Sequence, residues 1–145
     1  MAVTKAQKEV ERWVCEVWMP KRFGVRFERA QVNLLPGGQY SFDAVSADLS
    51  LIATISTSDT RTATGRNAVG KILKVRSDVY FLGLVRAKQK FVVLTQADMY
   101  TWWLKEKERG RVPHDIEFLH VDIPGDLQRA LERSRGAASK EVSPQ

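Results

Sequence analysis

Asp43 is the first residue whose type and setting suggest chemistry, in the run Tyr40-Ser41-Phe42-Asp43-Ala44. A second run follows, Ile52-Ala53-Thr54-Ile55-Ser56-Thr57-Ser58, with an apolar, β-branched frame. If that run is a strand, Thr54 and Ser56 have the same parity and project to one face. Their hydroxyls can donate and accept hydrogen bonds but bring no charge. Beyond them lies a polar loop, Asp59-Thr60-Arg61-Thr62-Ala63-Thr64-Gly65-Arg66-Asn67, and then the lysines Lys71 and Lys74. Arg61 and Arg66 suit phosphate contact, with Thr62, Thr64 and backbone amides as neutral donors. The spacing of a Walker phosphate loop is missing. His114, His120 and Cys15 lack zinc-ligand spacing, and no Gly-x-Ser-x-Gly elbow supports a serine hydrolase.

The elements that would position these residues follow from period and punctuation. Thr4 can cap a helix that places Ala6, Val10, Trp13, Val14 and Val17 on one face, and Pro20 is expected to stop it. Val25 to Leu34, Gln39 to Ala47 and Leu49 to Thr57 read as three strands joined by short turns, an antiparallel meander. A second helix is expected from about Asn67 to residue 85, then a strand at Phe91 to Thr95. Thr95, with Asp98 three residues on, reads as the cap of a third helix that ends at Gly110 and Pro113. Trp102 and Trp103 point about 100° apart on that helix, with Trp102 expected in the core alongside Trp13. A strand at Ile116 to Ile123 and a short helix at Asp126 to Arg135 complete a single domain over residues 1–135. Residues 136–145 are small, polar and charged, the composition of a disordered tail.

The order helix, three-stranded antiparallel meander, helix, strand resembles the core of the PD-(D/E)XK, or restriction-endonuclease-like, nuclease superfamily over roughly residues 4 to 95. The fold class expected is therefore α/β, with an additional C-terminal helix, strand and helix. Members with activity carry Glu-x-Lys in the third strand. The resemblance places Thr54 where the glutamate belongs and Ser56 where the lysine belongs, while Asp43 keeps its carboxylate. Such a site holds Mg²⁺ or Mn²⁺ through hard oxygen ligands and uses a lysine to balance charge on the reacting phosphate. Thr54 and Ser56 cannot do that work, so the motif is degenerate and no cofactor is expected unless ligands have moved. A relocated site would draw on Asp43 with Glu9 or Glu16 from the first helix, and on Lys71. Asp48 and Asp59 are near in sequence only. The alternative is that Asp43 is a carboxylate paired with an arginine, with Thr54, Ser56 and Thr57 as ordinary strand residues.

Charge favours a polyanionic partner. Lys and Arg number 23 against 17 Asp and Glu, a net charge of +6. DNA or RNA is thus the expected partner, met by Arg61, Arg66, Lys71 and Lys74. Lys74 and Arg76 form one basic group with Lys71, and Lys105, Lys107, Arg109 and Arg111 form another. A protein partner or a homodimer, seated on an exposed tryptophan such as Trp18 or Trp103, is the other reading. No run approaches a membrane span, the first apolar run is broken by charge, and a cytoplasmic location is the expectation.

Overall fold

The computed structural model describes residues 4–61 and 68–142, with side chains through residue 135. It is an α/β fold built on a five-stranded mixed open sheet of order β1-β2-β3-β4-β5. The strands are β1 (Phe27–Asn33), β2 (Gln39–Ser46), β3 (Leu51–Ser56), β4 (Gln89–Leu94) and β5 (Ile116–His120). The first three form the antiparallel meander; β4 and β5 then run parallel to β3. The turn into β3 takes Leu49 out of the strand, at φ 62°. Parallel strands need a crossover, supplied by helices α3 (Val69–Leu82) and α4 (Ala97–Glu108).

Both faces of the sheet are covered. Helices α3 and α4 pack on one face, where Phe42, Val45, Ile52, Val92, Leu94 and Trp103 form a core. On the other, the N-terminal helices and α5 (Gly125–Val142) cover Ala44, Ala53, Ile55, Phe91 and Val93. Each large side chain removed from water in these cores contributes about 1.5–3 kcal/mol. Among the described residues no helix is long and apolar enough to cross a membrane.

The N-terminal helix departs from expectation at Pro20. Its start is as predicted: Thr4 Oγ1 accepts from Gln7 N–H, and Gln7 Oε1 accepts from Thr4 N–H, a capping box. But α1 (Lys5–Trp13) passes through a π-helical turn, Val14–Trp18, into α2 (Met19–Phe23), and helix ends only at Gly24, φ 76°. The wide turn lets Met19 N–H bond Val14 O. Pro20 then falls in the first turn of α2, directly after the wide turn.

Three other expectations shift. Gln96, not Thr95, stands at the start of α4, without a side-chain cap. Asp98 instead accepts from the N–H and hydroxyl of Thr60. Trp103 is the fully buried member of its pair, stacked on Phe118, while Trp102 is partly exposed. Burial removes Trp103 as an interface residue. Finally, α5 continues past Arg135 to Val142, through residues whose composition reads as a tail.

Candidate functional site

Asp43 owes its position to a β-bulge. Glu28 pairs with Val45 and Ala30 with Phe42, so Asp43 and Ala44 together stand opposite the single residue Arg29. A bulge re-aims side chains. Phe42 and Val45 consequently share the α3–α4 core although they are three residues apart, while Ala44 joins the opposite one. The ladder between β2 and β3 consists of Ala44 with Ala53 and Val45 with Ile52. Beyond it the Asp43 carboxylate bridges the strands: Oδ2 accepts from Ile55 N–H at 2.8 Å, and Oδ1 accepts from Arg29 at 2.9 Å. A side chain stands in for a missing strand partner. Burial nonetheless holds Asp43 above the usual aspartate range, against the lowering effect of Ile55 N–H and Arg29.

Thr54 lies next to this opening, 1% exposed, and its hydroxyl finds no hydrogen-bond partner among the described residues. Ser56 Oγ accepts from Ser58 N–H at 3.3 Å. A buried hydroxyl without a partner is a cost. Thr54→Val, which replaces it with a methyl group, is therefore expected to stabilise the fold by about 1 kcal/mol, read from the urea midpoint. A lower midpoint would mean that the hydroxyl has a partner in solution.

The helix carboxylate nearest in effect to Asp43 is Glu11, not Glu9 or Glu16. Burial, then the charge of Asp43, raises Glu11 to about 7. Glu9 instead approaches Lys5 at 3.9 Å. Glu9 and Glu16 line an open groove of about 450 Å³ between α1 and the start of α5. From the other side of the opening, α3 contributes Lys74 and Asp78. Lys74 Nζ lies 2.7 Å from Asp78 Oδ1, which also accepts from Tyr40 at 3.3 Å. Burial pushes Asp78 upward against the pull of Lys74. The charge of Lys74 also acts on Asp43 and Glu11.

Lys71 is engaged at the C-terminal end of β3. Its Nζ bonds Asp59 Oδ1 at 3.1 Å and the Arg61 carbonyl at 3.4 Å. Asp59 is shared with Arg135, which also donates to the Thr57 carbonyl. Arg61 is exposed. Arg66 and Asn67 lie outside the described residues, and α3 begins at Val69 behind Ala68.

Glu11, Asp43 and Asp78, with Arg29 and Lys74, thus share one electrostatic neighbourhood. They do not form a cation site as placed. Both Asp43 oxygens are engaged by the protein, and among the described residues no three His, Cys, Asp or Glu side chains group as metal ligands. What the arrangement does is hold three carboxylates above their ordinary range, chiefly by burial.

That elevation gives a pH signature. The folded-state pKa of Glu11 is raised, so the native state binds its proton more tightly than the unfolded chain does. Stability contributed by protonated Glu11 is lost as pH rises from about 4.5 to about 7. Glu11→Gln is expected to match the parent below pH 4.5. Above pH 7 it should be more stable, by about 1–2 kcal/mol once solvent screening of a half-buried group is allowed for. Denaturant titrations at several pH values test this; a difference constant with pH would refute it.

Comparison with protein-family models, with curated proteins and with solved structures finds no match to this chain.

Proposed function

We propose that this chain is a nuclease-fold protein with a degenerate catalytic motif that binds nucleic acid without cleaving it. The observation that carries this reading is the commitment of Asp43. Its two carboxylate oxygens answer Arg29 and Ile55 N–H, a structural task with which a cation would have to compete. Thr54 and Ser56, on the neighbouring strand, supply no charge. The order of elements, with β4 parallel to the last strand of the meander, accords with the restriction-endonuclease-like type. A net charge of +6 suits a polyanion.

The test joins binding to cleavage. Anisotropy with labelled DNA and RNA oligonucleotides is expected to show binding that weakens steeply with salt. Incubation with plasmid and single-stranded DNA in Mg²⁺ or Mn²⁺ is expected to leave both intact. Absence of binding would overturn the proposal.

One feature favours an alternative, a metal-dependent nuclease with relocated residues: the charges of Asp43, Asp78 and Lys74 all act on Glu11. Swinging Arg29 away would free one Asp43 oxygen. Cleavage that Asp43→Asn or Glu11→Gln abolishes would select this reading.

A further inference from the structure

The two basic groups of the sequence meet in space, at a residue that neither group contains. Glu106, 1% exposed, lies 3.4 Å from Arg76 of α3, 3.4 Å from Arg109 and 3.2 Å from Arg111. The backbone builds this arrangement. Helix α4 ends in a Schellman motif: Arg111 N–H bonds Glu106 O, and Gly110 N–H bonds Lys107 O. Gly110 takes φ 73°, the left-handed conformation the motif needs. The chain reversal returns Arg111 over Glu106. Arg76 arrives from α3 and lies on the face of Trp103, 5.1 Å from the ring centroid. Each guanidinium is thereby held from a different direction.

The charge count is what points outward. A buried carboxylate is satisfied by one bidentate arginine. Glu106 has three, and the approach of each is a single contact longer than 3 Å. A guanidinium carries about five N–H donors, so most of the donors here are not spent on Glu106. The three side chains are 44%, 59% and 61% exposed. Three lysines of the same two groups are matched closely, while Lys105 is exposed. Lys71 meets Asp59, Lys74 meets Asp78, and Lys107 donates to the Ile116 carbonyl. Excess positive charge on fixed, forked donors is the arrangement that receives phosphate oxygens.

We propose that Arg76, Arg109 and Arg111, organised by Glu106, form the surface on which nucleic-acid phosphates dock. The inference rests on the nucleic-acid-binding reading and moves the contact from Arg61, Arg66, Lys71 and Lys74 to the junction of α3 and α4. Glu106 is a positioning residue: it fixes the guanidiniums before the ligand arrives, which lowers the cost of ordering them.

The test compares the full chain with Arg109→Gln/Arg111→Gln and with a charge-matched control, Lys8→Gln/Lys21→Gln, using duplex DNA and single-stranded RNA oligonucleotides over a salt series. The arginine variant is expected to bind about tenfold or more weakly at moderate salt. Its plot of log K against log salt should be shallower by about 1.4–1.8, the loss of two phosphate contacts. The control should stay close to the parent. Phenylglyoxal labelling of the parent protein, read by mass spectrometry, needs no substitution; bound oligonucleotide should protect Arg76, Arg109 and Arg111 but not Arg22 or Arg26. A parent that binds neither oligonucleotide refutes the functional reading and this one with it. A parent that binds, with an unaffected arginine variant, an equal loss in the control, or no protection, refutes the surface alone. So does preferential binding of a poly-glutamate peptide, which would assign the cluster to an acidic protein segment.

Discussion

Asp43→Ala is expected to destabilise the fold by about 2–4 kcal/mol. The carboxylate holds the N–H of Ile55 at 2.8 Å where the β2–β3 ladder has ended, and it balances Arg29 across the bulge. Alanine leaves a backbone donor without its acceptor beside the core residues Ala44, Ala53 and Ile55, and the cost of an unmade buried bond exceeds the net gain of a made one. Asp43→Asn keeps an acceptor for Ile55 and relieves Glu11 of a like charge, so its loss should be about 1 kcal/mol. Urea denaturation of the two variants, with amide exchange at Ile55, separates these terms. Faster exchange at Ile55 in the alanine variant only is the expected pattern. If alanine and asparagine cost the same, the Ile55 bond is not what Asp43 contributes. If neither costs anything, the aspartate is free for chemistry and the binding-only reading weakens. The asparagine variant is accordingly the one to carry into cleavage assays, because loss of activity in it is not loss of fold.

Much of the sheet was legible in sequence because β-branched runs and Gly-Gly or Asp punctuation act locally. The meander, the strand feeding α4 and the strand at Ile116 follow from such patterns. What was not legible depended on how the chain answers a local conflict. Pro20 reads as a stop, yet a π-helical turn before it removes the clash and the helix continues. The bulge at Asp43 left one trace, Phe42 and Val45 spaced by three in a strand. Period two puts them on opposite faces, but both are core residues on the same one. Glu11 was missed because it follows Val10 at the margin of the apolar face, where a charge reads as solvated. Only packing reveals that it is partly buried and within electrostatic reach of Asp43 and Lys74. The arginine cluster was half visible. Gly110 signals a helix end, and the reversal it permits brings Arg111 onto Glu106, whereas the approach of Arg76 from α3 is a tertiary fact.

Glu106→Gln is expected to cost about 2–4 kcal/mol at low salt, and the salt dependence of that loss distinguishes its origin. Removing one partner of a buried ion pair is severe when the surviving charge stays buried. Here the survivors are three arginines that are each about half exposed, so water can reach them and the loss falls toward the lower part of the range for such substitutions. What remains is mutual repulsion of three guanidiniums that the Schellman turn and Trp103 still hold together. Repulsion among exposed charges is screened at a Debye length of about 8–10 Å, so added NaCl should recover part of the deficit. The deficit of Asp43→Ala, an unmet hydrogen bond, should be indifferent to salt. Glutamine also keeps the volume of Glu106, so no cavity confuses the comparison. The measurement is guanidinium-free thermal or urea unfolding of parent and variant at low and high NaCl. Equal stability at low salt would show that Glu106 does not bind the cluster together. A salt-independent loss would show that its hydrogen bonds, and not the opposing charges, are what fix the three arginines.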